Sequence, residues 1–573
     1  MCGIIGYSGS RNARTVVLDG LKTLEYRGYD SAGAAFSAED ITVFKTGGRV
    51  SDLEKITPNI VAHAGIGHTR WATHGAPSAK NAHPHLSFDG RFAVVHNGVI
   101  TNCDELKLSL IRRGIRFVSD TDSEIIAHLL SLEYDGDMVS TIEKVSSLLR
   151  GATTFIALKK GDERVYMHRN GASLVVGKGS GECIVASDAL AITPYTSDIA
   201  VLCDGETAIM SATGVKFFKN GKQIDKPFGK TDRTAPKDCS CHMRAEIDEI
   251  PSALLNAYAE ISRSITPAVS NMVRNAKRTL FFGCGTAYHA GLYGKIIFER
   301  VGVPSDAVIA SEIDDERFID EDCLCVFITQ SGETADTLIA LSECKARGAK
   351  TLAITNVKES TVTFEADETV FIGAGAEIAV AATKSYVCQL LALYMLSKER
   401  TKKRMEKSEI QALATAAKVV SKENLYAPEY KDFNPFFIGK GIDNVTAKEG
   451  ALKFKEITYK FADAYGAGEL KHGSIALIDE KSVAYVVSTN EHDEERVRAT
   501  VRELQSRGAY VFAVTTSNRL GANKTLTLPK IYDENLYPLL SVIPLQNLAL
   551  TASLCLGLDP DKPRNLAKSV TVI

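Results

Sequence analysis

The stretch Leu280-Phe281-Phe282-Gly283-Cys284-Gly285 is an apolar run that ends in Gly-x-Gly, and Phe436-Phe437-Ile438-Gly439-Lys440-Gly441 repeats the pattern. We predict that each run is a buried strand that leads into a helix. Two further landmarks recur in the same order: residues 324–329 are echoed by 483–488, and Arg-Gly-Ala at 347–349 by 507–509. Three landmarks in one order predict tandem copies of one fold. The alternation of strands and helices predicts a doubly wound, parallel α/β sheet in each copy.

The chain has 573 residues, which is too long for a single hydrophobic core. Its amino-terminal third carries short strand-like runs, separated by Gly, Asn and Asp turns, and two helical stretches at 15–24 and 123–132, which predict an α+β layered domain. Asp120 and Thr121 are expected to cap the second helix. The predicted boundaries are 2–220 for the α+β domain, 221–245 for a polar linker, 246–400 and 424–555 for the two repeats, and 556–573 for a tail.

Two loops of the first repeat fall where a strand ends and a helix begins: residues 283–287 and 329–334. Helix N-termini present unpaired N–H groups and the positive end of a dipole, which suits phosphate. Hydroxyl groups at Thr286, Thr329, Ser331 and Thr334 could complete a phosphate cradle, although ordinary N-capping explains either loop equally well. These loops contain no Walker lysine and no G-x-G-x-x-G, which disfavours a nucleotide ligand.

The second repeat carries Glu449, Lys453 and Glu456 at spacings that place them on one helix face. A solvated ladder of ion pairs is the ordinary interpretation. The functional interpretation is a carboxylate base whose protonation is tuned by the ammonium group. A Gly-rich loop then offers His472 as an acid or base, and the last residues contain Lys568, a type of residue that is normally solvated.

Cys2 follows the initiator Met1 directly. Removal of Met1 would give Cys2 a thiol and a free α-amine, whose reference pKa values are about 8.5 and about 7.7–8.0. One residue would then supply both nucleophile and general base. The turn at 24–33 could place Arg27 beside this thiol. The alternative is that a cysteine follows Met1 by chance.

Three more clusters fit an amidase built around this cysteine. Arg70 could clamp a substrate α-carboxylate through two parallel hydrogen bonds. The Asn97 amide and the Gly98 N–H could form an oxyanion hole, and Asp122 could bind an α-amine. Ordinary interpretations also exist, because Asn-Gly is a common hairpin turn and an aspartate often begins a helix.

Together these strings resemble the class II glutamine amidotransferase (glutaminase) domain over residues 2–220. The resemblance implies an N-terminal-nucleophile hydrolase fold with Cys2 as the nucleophile. It also implies an oxyanion hole at Asn97 and Gly98. The implied glutamine-binding residues are Arg70, Thr73, His74 and Asp122.

The tandem repeats resemble sugar isomerase (SIS) domains. The resemblance implies that Glu456, supported by Glu449 and Lys453, moves a proton between C1 and C2 of a sugar phosphate. It implies that His472 reaches across a dimer interface to assist ring opening, and that Lys568 forms a Schiff base. The implied sugar-phosphate ligands are Thr286, Thr329, Gln330, Ser331 and Thr334.

Joined in this order, the domains resemble amidotransferases that use L-glutamine to aminate and isomerise fructose 6-phosphate to glucosamine 6-phosphate, with no cofactor and no metal. The resemblance also implies an internal ammonia channel with Trp71, the only tryptophan, as its gate. Excluding water makes chemical sense, because free ammonia is mostly protonated at neutral pH and ammonium is not a nucleophile.

The sequence departs from the family pattern at Ala287 and Ala382, where hydroxyl residues are expected. A relative that acts on a different ketose phosphate therefore stays open as an alternative. A sugar-phosphate-binding regulator with a vestigial glutaminase is disfavoured, because the residues implied for both reactions are present together. A phosphoribosyl-transferring enzyme is disfavoured by the tandem SIS strings.

Composition limits the remaining classes. The net charge is −3, with no long block of one sign, which argues against nucleic-acid binding. We find no apolar run near the roughly 20 residues that a membrane span needs, and no secretory signal. The 12 cysteines are scattered, and the pairs Cys239/Cys241 and Cys323/Cys325 lack a partner pair for zinc. We expect a cytoplasmic homodimer that associates through its SIS domains.

Overall fold

The computed structural model describes residues 2–71, 75–231, 239–314, 318–427 and 432–570. The chain divides into two compact units. The first unit comprises Met1–Pro236 together with Ala567–Ile573, and the second comprises Lys237–Leu566.

The first unit is built from antiparallel strands and short helices. Its strands are β1 (Gly3–Gly9), β2 (Ser31–Ser37), β3 (Ile41–Thr46), β4 (Ala64–Arg70), β5 (His85–Leu86), β6 (Phe92–Ile100), β7 (Gly151–Lys159), β8 (Val165–Arg169), β9 (Val175–Lys178), β10 (Glu182–Ala186), β11 (Asp198–Val201), β12 (Glu206–Ser211), β13 (Gly214–Lys219), β14 (Lys222–Ile224) and β15 (Gly229–Lys230). Its helices are α1 (Ala13–Leu24), α2 (Val50–Ile56), α3 (Cys103–Arg112), α4 (Glu124–Glu133) and α5 (Met138–Leu148).

These elements stack in four layers, helix on sheet on sheet on helix. The first sheet has the order β15-β11-β9-β10-β1-β4-β2-β3, and the second has the order β14-β13-β12-β8-β7-β6-β5. Alternation along β1 divides its side chains between two cores. Ile4 packs between the sheets, whereas Ile5 and Tyr7 pack under α1. The outer face of the second sheet is covered by α4 and α5. The predicted α+β layered fold is confirmed.

Local details of this unit differ from the sequence predictions. The predicted linker at 221–245 contributes β14 and β15 to the two sheets, and a helix of the second unit begins within it, at His242. Asp120 and Thr121 do not cap α4. The Asp120 carboxylate accepts hydrogen bonds from Lys80 and Asn81 instead, and the first residue before the helix, Ser123, makes no side-chain cap.

The second unit alternates strands and helices. Its strands are β16 (Arg278–Gly283), β17 (Ser305–Ile309), β18 (Cys323–Ile328), β19 (Lys350–Thr355), β20 (Glu368–Phe371), β21 (Asn434–Gly439), β22 (Asp463–Gly466), β23 (Ser482–Ser488), β24 (Tyr510–Thr515) and β25 (Lys524–Thr527). Its helices are α6 (His242–Ser264), α7 (Pro267–Asn275), α8 (Thr286–Arg300), α9 (Ala335–Ala346), α10 (Thr361–Glu365), α11 (Lys384–Arg400), α12 (Lys407–Val420), α13 (Ile442–Thr458), α14 (Glu494–Gln505) and α15 (Tyr537–Cys555).

The two repeats have the same topology. Their sheets are β17-β16-β18-β19-β20 and β22-β21-β23-β24-β25, and every pairing within them is parallel. Phe281 of β16 and Phe437 of β21 both point into one core shared by the two repeats, while their neighbours in sequence point into separate outer cores. The prediction of tandem, doubly wound parallel sheets is confirmed.

Within the described residues, one helical segment, Glu534–Cys555, is long and apolar enough to cross a membrane by length and composition, so the prediction that no run approaches this length was wrong. In its most apolar window, 83% of the residues are buried inside the protein. The helix α15 packs on α13 in the shared core, which explains its composition.

The two Gly-x-Gly strand ends press against the helices that follow them. A Cβ atom on Gly439 would lie 2.4 Å from the backbone carbon of Asp443, and one on Gly283 would lie 2.6 Å from that of Ala287. The first glycine of each motif therefore permits the close approach of strand and helix.

We predict that Gly439→Ala lowers the free energy of unfolding by about 1–3 kcal/mol, because the added methyl group overpacks this contact. Thermal unfolding followed by circular dichroism measures the effect as a lower melting temperature. Gly468→Ala is the matched control, since its Cβ would meet nothing within 4 Å and its φ of −78° suits any residue. Equal melting temperatures for the two variants would contradict the prediction.

Candidate active sites

The thiol of Cys2 lies against the residue that follows β4. Pairing of β1 with β4 sets Gly3 opposite Thr69 and so brings Cys2 beside Trp71. The Trp71 N–H donates to Cys2 Sγ at 3.2 Å, and Sγ lies 3.7 Å from the Trp71 carbonyl oxygen. The pairing of two strands therefore builds the thiol's environment.

The electrostatic surroundings of this thiol oppose one another. Burial raises the pKa of Cys2, whereas the positive charges of the chain's amino terminus, Arg70 and Arg27 lower it. Arg27 is itself buried, with its guanidinium 3.5 Å from the Asp188 carboxylate. The pKa of Cys2 is raised overall, and the two buried guanidinium groups limit that rise in favour of the nucleophilic thiolate.

Arg70 and Asp122 are both buried, and Arg70 lies close enough to interact with the charges of both Cys2 and Asp122. Burial lowers the pKa of Arg70, and the negative charges of Cys2 and Asp122 oppose that effect. The Arg70 guanidinium donates to the Gly75 carbonyl at 3.1 Å. Asp122 accepts a hydrogen bond from the Ile100 N–H at 2.8 Å. Two further predicted glutamine-binding residues, Thr73 and His74, lie outside the described residues.

The Asn97 side chain also reaches the amino terminus. Its Nδ2 donates to the Cys2 carbonyl at 3.1 Å. Asn97 and Gly98 lie inside β6, opposite Thr154 and Thr153 of β7, so the hairpin-turn interpretation is wrong. The amide that was predicted for an oxyanion hole is therefore fixed by a sheet.

The Gly98 N–H faces the edge of β6 that is away from β7. The N–H groups of His96 and Ile100 point to that edge, since they donate to His83 Nδ1 and to the Asp122 carboxylate. Backbone N–H groups two residues apart in a strand point to the same edge. Gly98 is two residues from both His96 and Ile100, so its N–H points the same way. Its φ of +142° and a Cβ position 1.9 Å from the Ala152 carbonyl oxygen require glycine here.

A buried histidine cluster lies behind these residues and was not predicted as a unit. The rings of His68 and His83 stack at 4.1 Å, and His85 follows at 4.7 Å from His83. Burial lowers the pKa of His68 to about 3, so its ring is neutral at physiological pH. His96 bonds through both ring nitrogens and serves a structural purpose. The cluster is recognised only from the packing of its rings in the folded protein. The sequence alone does not reveal it.

In the second unit, the loop between β18 and α9 folds around its own hydroxyl groups. The hydroxyls of Thr329 and Thr334 lie 3.2 Å apart, and the Gly332 N–H donates to Thr329 Oγ1 at 3.1 Å. The Ser331 hydroxyl accepts from the Glu333 N–H at 3.1 Å. Strands β16 and β18 are parallel neighbours, so this loop and the start of α8 lie at the same sheet edge. Gln330 is half-buried in the same loop.

A buried ion-pair cluster joins α13 to α8. Lys453 Nζ lies 2.7 Å from Glu456 and 3.5 Å from Glu449. The side chains of Glu449 and Lys453 are 0% and 1% exposed, so the interpretation of a solvated ladder is wrong. Burial alone would lower the pKa of Lys453, but Glu456 and Glu449 raise it above its ordinary value and keep the ammonium charged.

Thr286 also belongs to this cluster. Its hydroxyl donates to Glu449 at 3.0 Å and accepts from Lys453 at 2.9 Å. The structure thus places this hydroxyl in the ion-pair cluster, and its assignment to the sugar phosphate stays a prediction. His289, one turn later, approaches the second oxygen of Glu449 at 2.8 Å; sequence analysis missed it.

The two remaining predicted residues lie apart from this cluster. His472 ends a short 3-10 turn (Glu469–His472) and is exposed. Lys568 is half-buried and belongs to the first unit, with residues 567–573, whereas residues up to 566 belong to the second. The tail predicted as one segment at 556–573 is thus divided between the units.

The part of the tail within the second unit is firmly anchored. The Asp561 carboxylate accepts hydrogen bonds from the N–H groups of His242 and Met243 at 2.7 Å each, which caps α6. Its carbonyl accepts from the Val380 N–H at 3.0 Å. The sequence gives no signal for this cap, because the helix and its capping residue lie far apart along the chain.

The sequence matches two known domain families. Residues 68–194 match the glutamine amidotransferase domain family, and residues 272–398 and 431–556 each match the SIS domain family. The fold and the sites thus define a glutamine amidotransferase domain joined to two SIS domains.

The same architecture occurs in full-length relatives. The chain is 40% identical over 606 residues to a glutamine–fructose-6-phosphate aminotransferase (isomerizing) from Fusobacterium nucleatum subsp. nucleatum, and 41% identical over 610 residues to one from Symbiobacterium thermophilum; each match covers 100% of both chains. The chain belongs to the family of isomerizing glutamine–fructose-6-phosphate aminotransferases.

Solved structures resemble the second unit. The C-terminal domain of glucosamine-fructose-6-phosphate aminotransferase from Francisella tularensis superposes with a TM-score of 0.50 at 29% identity, covering 56% of this chain and 98% of that one. A tagatose-6-phosphate ketose/aldose isomerase from Escherichia coli superposes with a TM-score of 0.51 at 17% identity, covering 57% and 96%, and shows the fold alone.

We predict that Arg27→Met raises the pKa of the Cys2 thiol, because a positive charge that favours the thiolate is lost. At a fixed neutral pH, iodoacetamide should then alkylate Cys2 more slowly, and the pH profile of alkylation should move to higher pH. Peptide mass spectrometry isolates the Cys2 signal. Arg113→Met, at an exposed position of the same unit, should leave the profile unchanged. A faster reaction in Arg27→Met would contradict the prediction.

Proposed function

We propose that this protein converts L-glutamine and fructose 6-phosphate to L-glutamate and glucosamine 6-phosphate. The observation that carries the proposal is the match to relatives of that name along the full length of both chains. The presence of residues for both half-reactions in one chain supports it. Water consumed in glutamine hydrolysis is returned when ammonia replaces the sugar's C2 oxygen, so the reaction balances without a cofactor.

In the glutamine half-reaction, Cys2 is the nucleophile once Met1 has been removed. Its free α-amine takes the thiol proton, and the thiolate attacks the side-chain amide carbon of glutamine. Asn97 Nδ2 and the Gly98 N–H stabilise the oxyanion, and ammonia leaves before water hydrolyses the thioester. The sheet-fixed position of both donors supports this assignment.

Glutamine is recognised by charge at its α-carbon. Arg70 binds the α-carboxylate and Asp122 the α-amine, with Thr73 and His74 completing the set. The burial of Arg70 and Asp122 supports this, because desolvated charges bind an opposite charge strongly.

Released ammonia reaches the sugar inside the protein, with Trp71 as the gate. The N–H and the carbonyl oxygen of Trp71 both contact Cys2 Sγ. A chemical change at the thiol therefore alters the contacts of Trp71 directly. Its ring packs edge-on against Tyr29 at 5.8 Å.

In the sugar half-reaction, the hydroxyl-rich loop of the first SIS domain binds the phosphate through Thr329, Gln330, Ser331 and Thr334. The Lys568 amine adds to the C2 carbonyl, and water leaves to form a Schiff base. Ammonia then displaces the lysine. Glu456 removes a proton from C1 and a proton is returned to C2, which turns the C1 hydroxyl into the aldehyde.

Ring opening falls to His472, which acts in the partner's site of a homodimer formed through the SIS domains. Its exposure within a single chain supports this role. We place the enzyme in the cytoplasm, where the scattered free cysteines are stable as thiols.

A different ketose phosphate is the second candidate substrate. Ala287 in the first turn of α8 and Ala382 before α11 carry no hydroxyl where the family pattern has one. The loss of two hydrogen-bond donors would alter which sugar phosphate is favoured.

We predict that purified protein, with its N-terminus verified by mass spectrometry, forms glutamate and glucosamine 6-phosphate in equal amounts. Cys2→Ala should lose the glutamine-dependent reaction but retain amino-sugar formation with excess ammonia. Glu456→Gln should keep glutamine hydrolysis and lose the amino sugar, because the base is removed but the glutaminase site is not.

Chromatography with mass detection measures both products. Glutamate release without amino sugar from fructose 6-phosphate, together with product from another ketose phosphate, would favour the second candidate. Absence of both products from the wild-type protein would refute the proposal.

A further inference from the structure

We infer that His289 is a positioning residue for the sugar half-reaction: it holds Glu449 so that Lys453 stays paired with Glu456. The inference rests on the proposed function, in which Glu456 transfers the proton between C1 and C2. His289 does not touch the reacting atoms in this account. It acts through the cluster that joins α8 to α13.

Helix α8 supplies a hydrogen bond to each oxygen of the buried Glu449 carboxylate. Thr286 and His289 are three residues apart on α8 and therefore share one face of the helix. Thr286 Oγ1 lies 3.0 Å from Glu449 Oε1, and His289 Nδ1 lies 2.8 Å from Oε2. A carboxylate oxygen only accepts, so Nδ1 carries the hydrogen.

These two hydrogen bonds determine which carboxylate the ammonium of Lys453 pairs with. A fully buried carboxylate needs donors, because unpaired burial of a charge is very costly. Because α8 supplies hydrogen-bond donors to Glu449, Lys453 Nζ makes its short contacts with other groups. It lies 2.7 Å from Glu456 Oε2 and 2.9 Å from Thr286 Oγ1. Its distance to Glu449 is longer, at 3.5 Å.

Glu456 is the member of the cluster that a substrate can reach. Its side chain is 19% exposed, against 0% for Glu449 and 1% for Lys453. The ammonium of Lys453 lies 2.7 Å from Glu456 Oε2. It fixes the carboxylate in one orientation, which proton transfer requires.

Loss of the His289 N–H would leave Glu449 Oε2 without its donor. The ammonium of Lys453 is already 3.5 Å from that carboxylate. It would therefore move toward Glu449 and replace the lost donor. Glu456 would then lose its partner and its fixed orientation. The effect should therefore appear in the proton-transfer step and not in sugar-phosphate binding.

The test compares His289→Leu with His289→Asn. Asparagine can place an N–H donor where Nδ1 stands, whereas leucine fills the space without a donor. We expect kcat for amino-sugar formation to fall about 100-fold in His289→Leu, the size of effect that misplacement of a reacting group produces, with KM for fructose 6-phosphate nearly unchanged. His289→Asn should restore most of the rate.

An isotope effect separates this role from general damage. With fructose 6-phosphate deuterated at C1, the isotope effect on kcat should be larger in His289→Leu than in the wild-type protein, since C1–H cleavage becomes slower. The matched control is His492→Leu, at an exposed histidine of the same unit. Glutamine hydrolysis and the melting temperature report whether each variant is folded.

The outcomes are distinct. A wild-type protein that makes no amino sugar would refute the proposed function and this role with it. An active wild-type protein with His289→Leu indistinguishable from His492→Leu would overturn the inference alone. Equal losses in the leucine and asparagine variants, or a raised KM without an isotope effect, would overturn it as well, because they indicate that the ring's shape and not its N–H matters.

Discussion

The second unit depends on the interactions of the buried Lys453 ammonium. It joins a helix of one repeat to a helix of the other through Thr286 and Glu449. The Glu449 carboxylate and the Lys453 ammonium, which are removed from water, need partners, since the desolvation of a charge outweighs any single contact. The two repeats are therefore held at one relative position by polar geometry as well as by their shared apolar core.

In the glutaminase unit the constraint is different: the proposed nucleophile, Cys2, stands next to the start of the chain and must be held in place. Termini are usually poorly ordered unless they are tied into a sheet. Here β1 begins at the residue after Cys2 and lies between β10 and β4 in the middle of an eight-stranded sheet. The flanking strands fix the position of Cys2, and Asn97 of β6 donates to its carbonyl oxygen. The surroundings of Cys2 thus follow from strand register.

The sequence predicted the features that repeat or alternate, and it missed those that depend on contact between distant segments. The tandem sheets were visible because Gly-x-Gly and Arg-Gly-Ala recur in order. The Glu449–Lys453–Glu456 spacing predicted a shared helix face, but not its burial, because the cover comes from α8. Asn97-Gly98 was ambiguous for the same reason: only pairing with β7 distinguishes a strand from a turn. For Thr286, the local sequence indicated a helix start but not the hydrogen bond to a carboxylate 163 residues away.

The Asp561 cap on α6 sets an order of events during synthesis. The capped N–H groups lie 318 and 319 residues before the carboxylate that binds them. At ribosomal rates of roughly 5–20 residues per second, the first helix of the unit waits on the order of half a minute for its cap. The glutaminase strands up to β15 emerge before that interval starts. These strands can therefore pair while α6 is still without its cap.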